Sequence, residues 1–401
     1  MKKILFVVNT LGCGGAENAL LALLKALQSQ YELDLFVLLG QGELVSRLPN
    51  TIRLLNESYL PYSVLTKQGR KALVKKGVTA IWAGGLLKQM GYILRNLLPM
   101  LSSGQVQWDK LLWRAVSDGA QKIDYEYDLA VAWLEGGSAY YTAEHVKARK
   151  KVGVVHIDYE SAGYTRSLDQ DCWKSFDHIF AVSPETREHF IAVYPEYAEK
   201  AGVLPNLVDQ EGIRARAQEP GGFTDSFQNF RLLTVGRLTH QKAIDVAIAA
   251  MELLIKAGYH AKWYVLGEGD QRTALEKRIT ALGLQDDFML LGTVENPYPY
   301  YAQADLYVHA TRFEGRSIAI QEAQTLGCPV IASDCRGNRF QIQDGKDGIL
   351  CPLEPQAIAQ GIANLLDHPE TRKRLGITAS QKATTKATQV QNIFRAILEE
   401  S

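Results

Sequence analysis

The sequence predicts an α/β protein of two domains, each a doubly wound parallel sheet covered by helices on both faces. Its 401 residues exceed one ordinary hydrophobic core and suit two domains of about 200 residues each. In both halves, short and continuously apolar segments alternate with segments of helical spacing, and glycine follows many of them. This alternation is typical of βαβ units, in which helices join strands that are buried on both faces.

The second half shows the alternation most clearly. Its predicted strands are RLLTVG, AKWYVLG, DFMLLG, DLYVHA, PVIAS and GILCP. Helical patterns such as AIDVAIAAMELLIKAG and QRTALEKRITALG separate them. The predicted strands of the first half are KILFVVN, YELDLFVLL, TIRLLN, DLAVAW, KVGVVH and HIFAVS, with a long helical region between about Thr66 and Lys122.

A polar segment with prolines and paired glycines, VLPNLVDQEGIRARAQEPGGF, separates the two halves and is the natural linker. We therefore predict an N-terminal domain at 1–205, a C-terminal domain at 206–385 and a final helix at 386–401 that packs back on the N-terminal domain. Ligands of doubly wound domains bind beyond the carboxyl ends of the strands. We expect the site in a cleft between the two domains.

Composition and charge exclude several classes of protein. Lys plus Arg and Asp plus Glu balance at 44 each, so we expect no nucleic-acid partner and only local phosphate binding. The five cysteines lack CxxC spacing, which favours reduced thiols in a cytoplasmic protein. The apolar run after the first two lysines is too short for a signal peptide, and no segment reaches the roughly 18 apolar residues of a membrane span.

The segment FEGRSIAIQEAQTLGCPVIASD, at 313–334, places two carboxylates eight positions apart in largely apolar surroundings. Glu314 lies in a loop after a predicted strand, and a helix is expected to start near Ser317. The amides of Arg316, Ser317 and Ile318 would then be free helix-start donors for phosphate or sugar oxygens. Glu322 falls inside this helix, where a buried carboxylate needs hydrogen-bond donors such as the hydroxyls of a ribose.

Other loops at strand ends offer further ligand contacts. Arg237 follows a strand and Lys242 precedes a helix, and two such cations could neutralise a diphosphate; two solvated surface cations are the alternative. Gly267, in GEG after WYVL, is a weak signal because such turns are common. The loop 11–17, LGCGGAE, could hold an anion at a helix start or form a plain tight turn, and it lacks the dinucleotide fingerprint.

Taken together, these motifs resemble the large retaining glycosyltransferase family usually numbered four, which has the GT-B fold of two Rossmann-like domains facing each other across a cleft. The resemblance rests on the GGAE loop, His156 after a strand, PNLVD, VGRL with its lysine, GEG and the Glu-x7-Glu block. It implies that Glu314 contacts the donor sugar, Glu322 the nucleotide ribose, Arg237 and Lys242 the diphosphate, and that His156 lies near the sugar. The full set of donor-side residues that it implies is Gly14, Gly15, Arg237, Lys242, Gly267, Val294, Glu314, Gly315, Arg316, Ser317, Ile318 and Glu322, with Gly12 and Glu17 on the acceptor side.

The resemblance implies a retaining transferase that moves a sugar from a nucleotide-diphosphate donor, expected to be a UDP-sugar, to a glycan, lipid-linked or other acceptor in bacterial surface polysaccharide or glycoconjugate synthesis. No cofactor and no metal are expected. A nucleotide-sugar epimerase of the same architecture and a two-lobed solute-binding protein are the alternatives. The epimerase would need acids and bases near the sugar, and the solute-binding protein would need an export signal.

Two segments lie outside this interpretation. Asp169-Gln170-Asp171 matches the DxD metal motif of another glycosyltransferase fold, but it does not follow an apolar strand, and we expect no metal role. The segment Trp82 to Leu101 has helical spacing with Trp82, Leu86, Met90, Ile93, Leu94, Leu97 and Leu101 on one side. Such a helix could touch the inner membrane surface near a lipid-linked acceptor. We expect instead that this face packs on the protein core.

Overall fold

The computed structural model describes residues 1–63, 66–83, 86–102, 107–159, 164–382 and 387–400. These residues form two compact units. The first comprises the described residues up to Leu207 together with the C-terminal helix, and the second begins at Val208 and ends before that helix. Each unit contains one parallel sheet with helices packed on it.

The sheet of the first unit has seven parallel strands in the order β3-β2-β1-β4-β5-β6-β7. The strands are β1 (Lys3–Val8), β2 (Glu32–Val37), β3 (Arg53–Leu54), β4 (Glu126–Ala132), β5 (Lys147–Val155), β6 (His178–Ala181) and β7 (Ala201–Val203). The helices are α1 (Gly15–Leu27), α2 (Lys67–Ala83), α3 (Leu86–Ser102), α4 (Trp108–Asp118), α5 (Gly137–His145), α6 (Arg166–Asp169) and α7 (Pro184–Val193). The central strand β1 is almost wholly buried, as expected for a sheet covered on both faces.

The sheet of the second unit has six parallel strands in the order β10-β9-β8-β11-β12-β13. The strands are β8 (Phe230–Val235), β9 (Ala261–Leu266), β10 (Phe288–Gly292), β11 (Leu306–His309), β12 (Val330–Ser333) and β13 (Ile349–Cys351). The helices are α8 (Gln210–Arg216), α9 (Ile244–Lys256), α10 (Arg272–Ala281), α11 (Tyr298–Gln303), α12 (Ile318–Thr325), α13 (Arg336–Arg339), α14 (Pro355–Asp367) and α15 (Pro369–Ser380). The predicted doubly wound α/β architecture is confirmed in both units.

The last helix, α16 (Ala387–Glu399), belongs to the first unit. It buries Val390, Phe394 and Ile397 at helical spacing, and the ring of Phe394 lies 6.1 Å from that of Phe6 in β1. The side-chain amide of Gln391 donates to the carbonyl of Ala26 in α1 at 2.7 Å. The chain therefore returns to its first sheet after completing the second.

The segment predicted as one core-facing helix at 82–101 differs from the prediction. Trp82 belongs to α2, whereas Met90 to Leu101 belong to α3, and the side chain of Leu86 lies outside the described residues. Ile93 and Leu97 pack against a small buried cluster, but Trp82, Met90, Leu94 and Leu101 are exposed. The core-facing prediction is therefore wrong for this row.

Within the described ranges, no helix is both long and apolar enough to cross a membrane.

Candidate active site

The strand order of each sheet reverses at one pair of strands, and the loops beyond those strands diverge and leave a crevice. In the second unit this pair is β8 and β11. The loop after β8 carries Arg237, and a short turn then brings the chain to Lys242. The loop after β11 leads from His309 to Glu314. Three of the predicted donor-site residues therefore lie at the place where a doubly wound domain binds its ligand.

Glu314 is the centre of a buried polar cluster. Its Oε2 accepts from the ammonium of Lys242 and lies 3.1 Å from Nε2 of His309. The other ring nitrogen of His309 lies 3.0 Å from the hydroxyl of Tyr307. The Glu314 side chain is 12% exposed and that of His309 only 2%. A neutral His309 can therefore donate from Nε2 to Glu314 while its Nδ1 accepts from Tyr307.

Electrostatics fix the charges of this cluster. Burial opposes ionisation of Glu314, but Lys242 and His309 outweigh burial and hold the pKa of Glu314 well below its usual range. Burial and the nearby Lys242 ammonium lower the pKa of His309. At neutral pH the cluster thus contains an ionised Glu314 and an uncharged His309. His309 was missed from the sequence because a histidine ending an apolar strand gives no distinct signal.

The loop that carries Glu314 is held from two sides. On one side, the side-chain amide of Gln241 donates to the carbonyl of Phe313 at 2.9 Å, and Arg312 pairs with Asp245 at 2.8 Å. On the other side, a β-carbon added to Gly337 would lie 2.0 Å from the carbonyl oxygen of Glu314. The segment CRGNRFQIQDG thus supports the Glu314 loop through a glycine at close backbone contact.

The two predicted diphosphate cations differ in environment. Arg237 is exposed, and among the described residues it has no hydrogen-bond or ion-pair partner. Lys242 pairs with Glu314, so it is not the free cation that the sequence predicted. Ala243 adopts a left-handed φ of 44°, a conformation that costs a residue with a β-carbon about 1–2 kcal/mol.

The start of α12 is only partly free to bind a ligand. The amide of Ser317 donates to Oε1 of Gln341 at 2.7 Å, so the prediction that it is unpaired is wrong. The Ser317 hydroxyl caps the helix by accepting from the amide of Ile320, and the helix begins at Ile318. Arg316 is half-buried, and its Nε has no hydrogen-bond partner among the described residues. Burial lowers the pKa of Arg316, as expected for a guanidinium that lacks a nearby carboxylate.

Glu322 is buried in α12, and two tyrosines donate to it. The hydroxyl of Tyr298 lies 3.1 Å from Oε1 and that of Tyr301 lies 3.3 Å from Oε2. Val294 packs against the apolar cluster that contains both tyrosines. The carboxylate therefore has donors from the protein, which the sequence did not indicate.

The glycines after β9 shape the loop that carries Arg237. Gly267 has a φ of 149°, and a β-carbon there would lie 1.9 Å from the carbonyl oxygen of Gly236. A β-carbon on Gly269 would lie 2.1 Å from the carbonyl oxygen of Leu238. The GEG motif therefore lies in close contact with the backbone of the loop that carries Arg237. Gly267 contacts this loop at Gly236, directly before Arg237.

In the first unit the loop before α1 is a compact turn. The amide of Gly14 donates to the carbonyl of Gly12 at 2.8 Å, and α1 begins at Gly15. The carboxylate of Glu17 lies against Gly14, where an added β-carbon would be 2.1 Å from its Oε2. The amino end of α1 therefore already faces a carboxylate from its own first turn.

His156 follows β5, near the reversal point of the first sheet between β1 and β4. Its amide donates to Oε2 of Glu135 at 3.0 Å, and its ring lies 4.9 Å from that of Trp133. Burial lowers the pKa of His156 to about 3, so the imidazole is neutral at physiological pH. Burial raises the pKa of Glu135. Glu135 was not predicted, although an EGG motif directly after a buried strand could have indicated it.

Residues 226–382 match the family model for glycosyl transferases group 1. This match covers nearly all of the second unit, including every residue of the Glu314 cluster. The second unit is therefore similar to group 1 glycosyl transferases over most of its length, and we refer to it as the glycosyl transferase domain after this match.

Relatives of the glycosyl transferase domain are transferases of several kinds. An alpha-D-kanosaminyltransferase of Streptomyces kanamyceticus is 30% identical over 47% of this chain and 50% of that protein. A Campylobacter jejuni N-acetylgalactosaminyltransferase, named for a diacetylbacillosaminyl-diphospho-undecaprenol substrate, is 30% identical over 53% of this chain and 55% of that protein. The chain thus spans about half the length of these curated relatives.

Solved structures match the whole chain. HepE of Anabaena, in complex with UDP and glucose, has a TM-score of 0.70 at 19% identity over 100% of both chains. TarM of S. aureus has a TM-score of 0.69 at 13% identity, again over 100% of both chains. With two Rossmann-like units, these matches confirm the predicted GT-B fold.

Two groups of acidic residues in the first unit have the residue types of a metal site. Asp169 of the DxD motif is buried, and it accepts from the hydroxyls of Tyr140, Tyr159 and Tyr194 and from the indole of Trp173. These contacts assign it a structural role. Among the described residues, one other group places metal-ligating atoms within 4.8 Å of one another, Asp118, Glu144 and His145. Arg114 pairs with this Glu144, and a cation at that position opposes metal binding.

Gly267→Ala should destabilise the glycosyl transferase domain by about 2–4 kcal/mol, because the methyl group would collide with Gly236 at a left-handed φ. It should also weaken binding of any nucleotide that the Arg237 loop contacts, because it displaces that loop. Gly283→Ala is the matched control, since Gly283 also has a positive φ, of 69°, but has nothing within 4 Å of an added β-carbon. Chemical unfolding and UDP titration of both variants test this. Equal losses in the two variants would show that strain alone explains the glycine.

Proposed function

We propose that this protein is a glycosyltransferase that moves a sugar from a UDP-sugar to an acceptor hydroxyl. One observation carries the proposal: the buried, ionised Glu314–Lys242 pair lies at the strand-order reversal of a group 1 glycosyl transferase domain. The solved relative HepE was obtained with UDP and glucose, which supports a uridine nucleotide. The named relatives are transferases, and none favours the epimerase alternative.

Within the second unit, each residue receives a role from its surroundings. Among the described residues of the candidate site, Arg237 and Arg316 have no carboxylate partner, so we assign the diphosphate to them. Lys242 adds a third positive charge there while it also contacts Glu314. Glu314 then accepts from sugar hydroxyls, and its negative charge stabilises positive charge that develops at the anomeric carbon. Glu322 accepts from the ribose hydroxyls.

The resemblance to the retaining family implies a front-side reaction with retention, and these charges fit such a reaction. The bond between the anomeric carbon and the diphosphate oxygen breaks, and the arginines stabilise the negative charge that accumulates on the departing UDP. The acceptor hydroxyl attacks from the same face and passes its proton to the departing phosphate, so configuration is retained. The positive charges of the protein replace a divalent metal in this scheme. We assign the acceptor, a glycan or a lipid-linked sugar, to the first unit, with Gly12 and Glu17 among its contacts.

Release of free UDP tests the proposal directly. Each UDP-sugar of a small panel is incubated with the enzyme, first alone and then with candidate acceptors, and UDP is measured by a coupled assay. We expect UDP release with one donor and a marked increase when the correct acceptor is present. Failure of UDP, GDP and ADP alike to bind in calorimetry would overturn the assignment of a nucleotide-sugar site.

Glu322→Ala should weaken binding of UDP itself by roughly ten- to a hundredfold, because a charge-assisted hydrogen bond to the ribose is lost. Calorimetric titration of UDP measures this. Because the carboxylate also accepts from Tyr298 and Tyr301, the double variant Tyr298→Phe/Tyr301→Phe is the control for a purely structural role. An affinity loss of the same size in that control would reject the ribose contact.

A further inference from the structure

Two helices of the first unit present rows of apolar side chains to solvent. In α2 the row is Val74, Val78 and Trp82, and in α3 it is Met90, Leu94, Leu98 and Leu101. Trp82 is 71% exposed and Leu98 is 66% exposed. We call these seven side chains the apolar rows. Large apolar residues at this density are unusual on a surface that meets only water.

The rows are separate from the faces by which the helices pack. In α3, Tyr92 and Asn96 are buried on the opposite side, and the hydroxyl of Tyr92 donates to the carbonyl of Leu168 at 3.0 Å. In α2, Leu73 and Ala80 pack against a hydrophobic core cluster of the first unit. Both helices also pack against α4. Each helix thus has its core contact satisfied and carries an additional apolar stripe along its length.

All charged side chains of this region are basic. Residues 67–102 contain seven Lys and Arg and no Asp or Glu, although the whole chain is neutral. Arg70, Lys71, Lys75 and Arg95 are exposed and have no ion-pair partner among the described residues. Residues three and four apart share a helix face, so Lys71 and Lys75 lie beside Val74 and Val78. The cations therefore flank the apolar rows.

We propose that the apolar rows and their flanking cations form a surface that docks on an anionic lipid bilayer. Apolar side chains on such helices enter the boundary between headgroups and acyl chains, while lysines and arginines meet the anionic headgroups. A second copy of the chain fits this surface poorly, because a symmetric contact would bring the two sets of unpaired cations together. The proposal is independent of the donor-site assignment.

Sedimentation of the full-length protein with lipid vesicles tests the surface. We expect binding to vesicles of phosphatidylcholine with phosphatidylglycerol, weakened by salt, and little binding to phosphatidylcholine alone. Lys71→Gln/Lys75→Gln should lower partitioning roughly thirtyfold, from the contribution of each cation at an anionic surface. Leu94→Gln/Leu98→Gln should lower it roughly tenfold or more. Lys277→Gln and Ile377→Gln, both at exposed positions of the second unit, should leave it unchanged.

Trp82 supplies a local signal. Its fluorescence should shift to shorter wavelength on binding and be quenched by lipids brominated on the acyl chain, and Trp82→Phe should reduce both signals. Absence of sedimentation with anionic vesicles at low salt would overturn the proposal. A loss of partitioning in Ile377→Gln as large as that in Leu94→Gln/Leu98→Gln would also overturn it. Self-association in ultracentrifugation that Leu94→Gln/Leu98→Gln abolishes would assign the surface to a second copy and reject the bilayer.

Discussion

Glu314→Gln should lower the rate of sugar transfer by roughly a hundredfold or more while leaving the affinity for UDP nearly unchanged. The amide keeps the size of the side chain and one acceptor oxygen, but it loses the charge that strengthens bonds to sugar hydroxyls. It also loses the charge that would stabilise an electron-poor anomeric carbon. Because UDP lacks the sugar, its binding should not register either loss.

The contacts of Glu314 determine which control this experiment needs. Glu314 pairs with Lys242 and accepts from His309, so its neutralisation also removes a buried ion pair. Glu268→Gln is the control, since it removes the ion pair with Arg272 in the same domain outside the Glu314 cluster. Melting temperature, UDP affinity and turnover are measured on each variant. If Glu314→Gln loses stability but keeps its turnover, the carboxylate is structural and the sugar lies elsewhere.

Much of the fold was predictable because parallel sheets leave strong signals in sequence. Strands buried on both faces, such as β1, are almost continuously apolar, and glycines mark the ends of neighbouring helices. The position of Glu314 beyond a strand and of Glu322 inside a helix followed from the same pattern. These are local properties, and a single segment of sequence contains them.

Contacts within the candidate site were less predictable because they join residues far apart in the chain. Lys242 and Glu314 are separated by 72 positions, and Ser317 meets Gln341 across 24 positions. A spacing rule predicted two free cations and three free amides, whereas tertiary contacts pair Lys242 and the Ser317 amide. His309 was missed for a related reason, since it ends an apolar strand and only its neighbours in space distinguish it.

The helices α2 and α3 show a different limit of prediction from sequence. Helical spacing of apolar residues predicts that a face exists, but it does not predict what covers the face. Here the buried side of α3 includes Asn96, and the exposed side includes Leu94 and Leu98. Polar and apolar character alone would assign these residues to the opposite sides.

Asp169→Ala should destabilise the first unit by about 3–5 kcal/mol. In the native protein the carboxylate is fully buried and accepts from four aromatic donors. Removing it would leave three tyrosine hydroxyls and the indole of Trp173 without this acceptor, in a region that excludes water. The indole hydrogen bond also makes the fluorescence of Trp173 a reporter of unfolding in this unit, so urea titration can measure the loss.

Asp171→Asn separates this structural role from the metal role that the DxD motif suggests. Asp171 is exposed and adopts a left-handed φ of 58°, which asparagine tolerates, so its replacement should change stability by less than about 0.5 kcal/mol. A metal site would need both carboxylates, whereas a structural carboxylate needs only Asp169. We therefore expect Asp171→Asn to keep full turnover with and without a chelator. Loss of turnover in Asp171→Asn, together with a chelator effect on the native enzyme that manganese reverses, would instead place a metal at this motif. In that case the charge on the departing diphosphate would not be stabilised by the arginines alone.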